Sequence, residues 1–170
     1  GIERQDRYGR SLGHLFLSNG ENIQALLLAQ GLATVLNIPP NIRYSKCYAQ
    51  QSDRAITKGR GLWKLAQFQA RAASWLAIKE RGYRLIVGKV TNVWNNSSST
   101  WITLEDRLTI LIIEQELKYF SDINLSELVD SEVQVRGLIY DRKKCLRMRL
   151  RHGVDLRILK SPSKKKNSNK

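Results

Sequence analysis

Asp6-Arg7-Tyr8-Gly9-Arg10 is the first group of residues whose types and spacing suit chemistry. An arginine placed just after a glycine, at the mouth of the apolar run Leu12 to Leu17, presents a planar fork of N–H donors that fits a phosphate side-on better than a lysine does. A second group lies near the other end. Leu146, Met148, Leu150, Val154, Leu156 and Ile158 share one parity while Arg147, Arg149, Arg151 and Arg157 share the other, so a strand here has a core face and an arginine face. With Arg136 on the preceding strand and Arg142-Lys143-Lys144 at the turn, these arginines form a basic patch suited to tracking a phosphate backbone. A merely solvated outer surface is the alternative. Same-face arginines repel one another unless an anion lies between them, which favours binding. Trp94, Trp101 and Tyr140 are candidate stacking platforms for bases, and the two tryptophans would equally fit a barrel core or a domain interface.

Other reactive side chains are sparse. His14 and His152 stand without a carboxylate or cysteine in sequence reach and read as structural. Cys47 and Cys145 are far apart and have no second ligand at zinc spacing, so neither a metal site nor a disulfide framework is expected.

The composition agrees with a polyanionic partner. Across 170 residues, 29 lysines and arginines outnumber 15 acids, a formal charge of +14, and the excess is divided evenly between the two halves of the chain. Nucleic acid or an acidic membrane surface would be drawn to such a charge, though charge also serves solubility. No uninterrupted apolar stretch approaches the roughly 20 residues that cross a bilayer. The apolar fraction of 42% is enough for one ordinary domain or two small ones.

The elements that must position these groups follow from the pattern. Leu12 to Leu17 is expected as a strand ended by Asn19-Gly20. Asn22 caps a helix closed by Gly31. Tyr44, Cys47, Tyr48, Gln51 and Ala55 define a second helix over about 43–58, stopped by Gly59-Arg60-Gly61. A third helix is expected over 66–79 with Phe68, Ala72, Trp75 and Leu76 on one side, serving as a connector or as a core helix of the first unit. From Gly82 the texture becomes strands: 84–94 with a bulge at Gly88, 100–104, 108–113, a short helical piece around Leu117 to Leu128, then 132–140 and the arginine strand. Three strands, a short helix and two strands is the order of a five-stranded OB-type barrel, which we prefer to a split sheet with the helix packed on one face.

Asp6-Arg7-Tyr8-Gly9-Arg10, the run behind it, the helix end Ala29-Gln30-Gly31-Leu32-Ala33, the long helix and Gly61-Leu62-Trp63 together resemble the C-terminal half of a thermonuclease-like (staphylococcal-nuclease-type) domain over residues 5–65. The resemblance implies a partial OB-type nuclease barrel with helices, and with the second, five-stranded OB-like barrel read from the strand order the expected fold class is mixed α+β. The expected divisions are 1–65, a helical connector 66–82, the OB-like unit 83–160 and a flexible basic tail 161–170. The family hydrolyses phosphodiester bonds in DNA and RNA with calcium. By resemblance Arg10 is its second catalytic arginine, supporting a phosphorane-like transition state, and Arg7 and Tyr8 lie beside the terminal phosphate of a bound nucleotide. The family's metal-holding acids, first arginine and general base precede this motif. Glu3, Asp6, Glu21, Asp53 and Glu80 do not match them, so no metal site is assignable and the chain alone is expected to be inactive. Leu36 to Pro40 lacks the aromatic residue that some members place against a base.

Because the sequence opens on glycine, it reads as part of a longer protein. The lone strand Leu12 to Leu17 then needs a partner: a missing N-terminal segment, the second domain or another copy of the chain. The functional expectation is a nuclease-like protein that binds DNA or RNA, preferably single-stranded. The alternatives are a non-catalytic OB-fold binding module on a degenerate nuclease scaffold, or a protein-interaction platform around Trp75.

Overall fold

The computed structural model describes residues 2–161; the expected basic tail, Ser161 apart, lies outside the described residues. Two helices come first, α1 (Ile23–Ala29) and α2 (Ser45–Thr57), and then seven strands: β1 (Arg71–Ala72), β2 (Gly82–Asn96), β3 (Ser99–Leu104), β4 (Leu108–Ile113), β5 (Glu132–Arg142), β6 (Cys145–Arg149) and β7 (Leu156–Lys160). Short 3₁₀ turns fill the connections, including Glu114–Phe120 and Leu125–Glu127 between β4 and β5.

The sheet runs β1-β2-β3-β4-β6-β5-β7, and β2 also pairs with β5. That last pairing closes β2, β3, β4, β6 and β5 into a barrel, with β4 and β6 parallel and the other neighbours antiparallel. The fold is thus mixed α+β, with a closed five-stranded OB-type barrel, extra strands and helices. Period-two alternation builds it: Ile102 and Leu104, Leu108, Ile110 and Ile112, and Leu146 and Met148 point inward and are buried, joined by Ile86, Val90, Val133 and Val135. Each fully buried aliphatic side chain contributes about 1.5–3 kcal/mol relative to exposure.

In the N-terminal region, Asn22 caps α1 by accepting from the Ala25 N–H at 3.0 Å. Gly31 follows with φ +70°, and its main chain lies so close to Arg60 and Gly61 that a Cβ would fall 2.2 Å from the Arg60 carbonyl oxygen. Gly61 meets Gly31 in the same way, and the Leu62 N–H donates to the Gly31 carbonyl at 2.8 Å. The two glycines therefore let the end of α1 dock against the end of α2, with Trp63 buried beside Ala55 and Tyr83.

Several expectations change. Leu12 to Leu17 is not a strand of the sheet; it makes only an isolated bridge, Phe16 with Asn22, after a further bridge between Gln5 and Ser11. With no neighbouring strand to ladder against, local bonds to the turn and to Gln24 replace a sheet. Residues 66–79 do not form a helix: two 3₁₀ turns flank β1, which pairs in parallel with Ile86 and Val87. Backbone pairing to an open barrel edge and burial of Ala73 outweigh helical spacing, and Trp75 is left 85% exposed. Gly88 is not at the bulge, which falls between Val90 and Asn92. Its role is close packing, since a Cβ there would lie 2.8 Å from the Ala73 Cβ. The arginine run is also broken after β6 by a 3₁₀ turn, Gly153–Asp155, before β7.

The N-terminal region is joined to the barrel by a buried polar cluster. Arg136 of β5, 6% exposed, donates to Asp53 of α2 at 2.7 Å, to the Asp155 carboxylate at 3.3 Å and to the Val154 carbonyl at 2.9 Å. Asn37 donates to both Asp155 oxygens at 2.9 Å. Burial opposes the Arg136 charge, but Asp53, Tyr83 and Asp155 more than offset it and its proton affinity rises above the ordinary value. Burial raises the Asp155 pKa despite Asn37 and Arg136. Removing one partner of a buried pair strands the other charge. Asp155→Ala is therefore expected to destabilise the protein by about 3 kcal/mol in urea denaturation, and Asp53→Ala by clearly less, because Asp53 is half exposed and water can replace it. Equal losses would contradict this division.

Candidate nucleic-acid interface

The Asp6 to Arg10 loop is held by its own aspartate. Asp6 Oδ1 accepts the main-chain N–H groups of Tyr8 at 2.8 Å and Arg10 at 2.9 Å, and its Oδ2 accepts from Arg10 Nε at 2.6 Å. Slight burial pushes the carboxyl pKa up, but the Arg10 and Tyr8 N–H groups and the Arg10 guanidinium hold it below the usual value. Gly9, at φ +76°, makes the turn possible. Two guanidiniums lie over the Tyr8 ring, with the Arg7 and Arg10 carbons 4.7 and 5.3 Å from its centroid. Arg7 also donates to the Tyr8 hydroxyl at 2.6 Å. The structure thus brings Arg7, Tyr8 and Arg10 into one cluster. The Arg10 side chain remains 75% exposed: Asp6 engages its Nε, and among the described residues no hydrogen bond is made by its terminal nitrogens, which point to an anion as a partner.

On the barrel, Trp94 and Trp101 are register partners on β2 and β3 and stack with centroids 5.2 Å apart and planes inclined by 8°. They lie on the outer face, outside the core cluster, and Trp94 is 44% exposed. The Arg147 guanidinium sits 5.0 Å from the Trp101 centroid, and Tyr140 is opposite Arg147 in the β5–β6 register. Arg147 Nε and Trp101 Nε1 are shielded from solvent and have no hydrogen-bond partner among the described residues. Flat faces beside a guanidinium suit base stacking with a phosphate alongside.

Arg149 and Arg151 continue the line but are not free. Glu116, 5% exposed, accepts from Arg149 Nη2 at 2.8 Å and Nε at 3.1 Å and from Arg151 at 3.2 Å. Sequence reasoning missed this carboxylate, which lies in an irregular turn more than 30 residues before its partners; no local spacing marks it. It supplies the anion that the arginine face requires. Burial is the main cause of a lowered Arg151 pKa, with the neighbouring charge of Arg149 next and that of Arg7 adding a smaller push.

Arg136 is not part of the exposed patch. The outer barrel face at that position is covered by α2, so a residue facing outward on the strand becomes interior. Arg142, Lys143 and Lys144 are exposed in the β5–β6 hairpin, where Lys143 and Lys144 take positive φ. The two histidines are partly buried: His14 Nδ1 is 2.7 Å from the Tyr48 hydroxyl, and His152 stacks on Tyr119 at 5.9 Å. Among the described residues there is no group of three or more His, Cys, Asp or Glu side chains able to hold a metal ion, so the side chains present do not fit the calcium site that the resemblance implies.

Residues 1–65 match the family described as Staphylococcal nuclease homologue. Among solved structures, the Stn1-ten1 complex of S. pombe is similar over 47% of this chain and 59% of that chain, at 19% identity and TM-score 0.39; the chain thus spans less than two thirds of that relative. An OBody bound to hen egg-white lysozyme is similar over 54% of this chain and 93% of that chain, at 12% identity and TM-score 0.40. No curated protein matches the chain.

Burial lowers the pKa of both His14 and His152, helped by Arg43 at the first and Lys46 at the second. A histidine whose folded pKa lies below its unfolded value adds stability that is complete above about pH 6.5, the unfolded value, and is lost as pH falls from there through the lowered folded value. Stability measured by denaturation should therefore decrease from about pH 7 to about pH 5, and His14→Gln with His152→Gln should flatten the decrease. Asp155 acts in the opposite sense, because protonation of a group with a raised pKa favours the folded state. An unchanged slope in the double variant would contradict the assignment to histidine.

Proposed function

We propose that this chain is a nucleic-acid-binding part of a nuclease-like protein, holding single-stranded DNA or RNA on the outer face of the barrel and offering Arg10 to a scissile phosphate. The stacked Trp94–Trp101 pair with Arg147 over Trp101 is the observation that carries the binding reading. Trp94, at the exposed end of the pair, can accept a base of any sequence, and a duplex, with its bases already stacked, would gain less from it. The catalytic part of the reading rests on the match over residues 1–65 and on the preorganised Asp6 to Arg10 loop. A fixed guanidinium stabilises charge that grows on the equatorial oxygens of the phosphorus more than it stabilises the ground state. The metal ligands and general base, and with them calcium, would have to come from outside the described residues.

That completion also fits the apolar surface of the N-terminal region. Leu15, Phe16, Leu17, Leu32 and Leu36 are each 44–64% exposed, and a further polypeptide segment, from the same protein or a second copy, would both cover them and pair with the segment around Phe16. A second reading, a non-catalytic binding module, is favoured by Arg10 Nε being engaged with Asp6 rather than free.

Fluorescence anisotropy with labelled oligonucleotides tests binding. Affinity for single strands should fall linearly with salt on logarithmic axes, and Trp101→Ala and Trp94→Ala should each cost about 1–3 kcal/mol. Affinity indifferent to both would remove the binding reading. Cleavage of single-stranded DNA by the intact protein, with calcium and with chelator, separates the two readings: calcium-dependent cleavage abolished by Arg10→Ala supports catalysis, and its absence leaves the binding module.

A further inference from the structure

The β6 arginines and the Asp6 to Arg10 loop, far apart in sequence, are linked through the loop before α2. Arg147 and Arg149 project from the same face of β6, and Arg151 lies just beyond its end, about 13 Å along at strand spacing from Arg147. Trp101 marks one end of the row through its contact with Arg147. At the other end the N-terminal loop is tethered to the same part of the barrel. Asn37 bonds Asp155, four residues beyond Arg151, and Asn41 bonds Glu3 through both its main-chain N–H, at 3.1 Å, and its carbonyl, at 3.0 Å. The charge of Arg7 adds, after burial and Arg149, to the lowering of the Arg151 pKa. Glu116 holds Arg149 and Arg151 at fixed positions through the middle of the row.

We infer that Trp94, Trp101, Arg147, Arg149, Arg151, Arg7 and Arg10 form one continuous track for a single nucleic-acid strand, along which bases stack at the tryptophan end and phosphates pass the arginines to the Tyr8 loop. The inference rests on the binding reading above and adds a direction and a length to it. A short strand fills only the tryptophan end. A longer one reaches Arg7 and Arg10, so the barrel delivers the phosphate backbone to the loop that carries Arg10. Glu116 positions the two central arginines and leaves their outer edges to the ligand.

The test uses fluorescence anisotropy on the full chain with labelled oligothymidylates of about 4 and about 12 nucleotides, within the range of site sizes of OB folds. The longer strand should bind more tightly with a steeper salt dependence. Arg7→Ala/Arg10→Ala should remove most of that gain, weakening the longer strand by at least about threefold and reducing its salt slope by about 0.7 for each phosphate that is no longer neutralised, while leaving the shorter strand unchanged. Trp101→Ala should weaken both lengths alike. Circular dichroism of each variant confirms that the fold is kept; Arg7 and Arg10 are exposed loop residues, and Arg149→Gln, which removes a middle charge within reach of either strand but keeps a donor toward Glu116, serves as a second variant expected to weaken both lengths. If Arg7→Ala/Arg10→Ala leaves the longer strand unaffected or weakens both lengths equally, or if Arg149→Gln affects neither length, the track is overturned while the tryptophan site stands. If Trp101→Ala has no effect on either length, the binding reading itself fails, and the track with it.

Discussion

The arrangement of this molecule depends on one buried guanidinium. Arg136 sits on the outer surface of the barrel where α2 covers it, and Asp53, Asp155 and the Val154 carbonyl take its N–H groups. A hydrophobic contact at this place would hold α2 against the barrel in several slightly different poses, because apolar attraction is non-directional. An ion pair with several bonds at fixed angles accepts few poses. Desolvation offsets much of the Coulomb attraction, so the cluster contributes more to the choice of orientation than to the depth of the free-energy minimum. Asn37 extends it to the loop before α2, and that loop in turn holds Glu3 through Asn41. The position of Arg10 relative to the barrel is set through this chain of bonds.

The barrel was largely legible in the sequence, because apolar residues recur at alternate positions along most of its strands and turn residues separate them. Leu108, Ile110 and Ile112 point inward as their parity requires, and Asn22 and Gly31 close α1 at its two ends as their types suggest. What the sequence hid are effects of tertiary contact. The apolar spacing of 66–79 is compatible with a helix, and only the open edge of β2 explains why the main chain pairs there instead. Arg136 has the parity of an exposed residue, and nothing within its own strand shows that a helix 83 residues earlier supplies its carboxylate. Arg7, Tyr8 and Arg10 were visible as a group because their contacts are local; the joining of Arg149 and Arg151 through Glu116 was not, because Glu116 follows β4, the spatial neighbour of β6 but 33 residues before Arg149 in sequence.

The two halves of the chain differ in how completely they bury themselves. The barrel satisfies its backbone by closure and holds an apolar core of fully buried residues. The N-terminal region has two helices, two isolated bridges and a smaller cluster around Ala55, Trp63 and Tyr83, and it leaves several leucines and Phe16 in contact with water. Its order therefore leans on the glycine contact between Gly31 and Gly61 and on the polar cluster at Arg136 rather than on a core of its own. Local opening of this region is expected to require less free energy than opening of the barrel, since few buried apolar contacts oppose it.

The carboxylate of Glu116 changes what the formal charge of +14 means. Binding of a polyanion is driven by the small cations that leave its phosphates as protein charges take their place. Two arginines that already share an internal anion have part of their field cancelled before any ligand arrives. The thermodynamic valence of the barrel face is therefore smaller than its count of basic side chains, and Arg147, resting on an aromatic ring and without a carboxylate partner among the described residues, carries more of it than its neighbours.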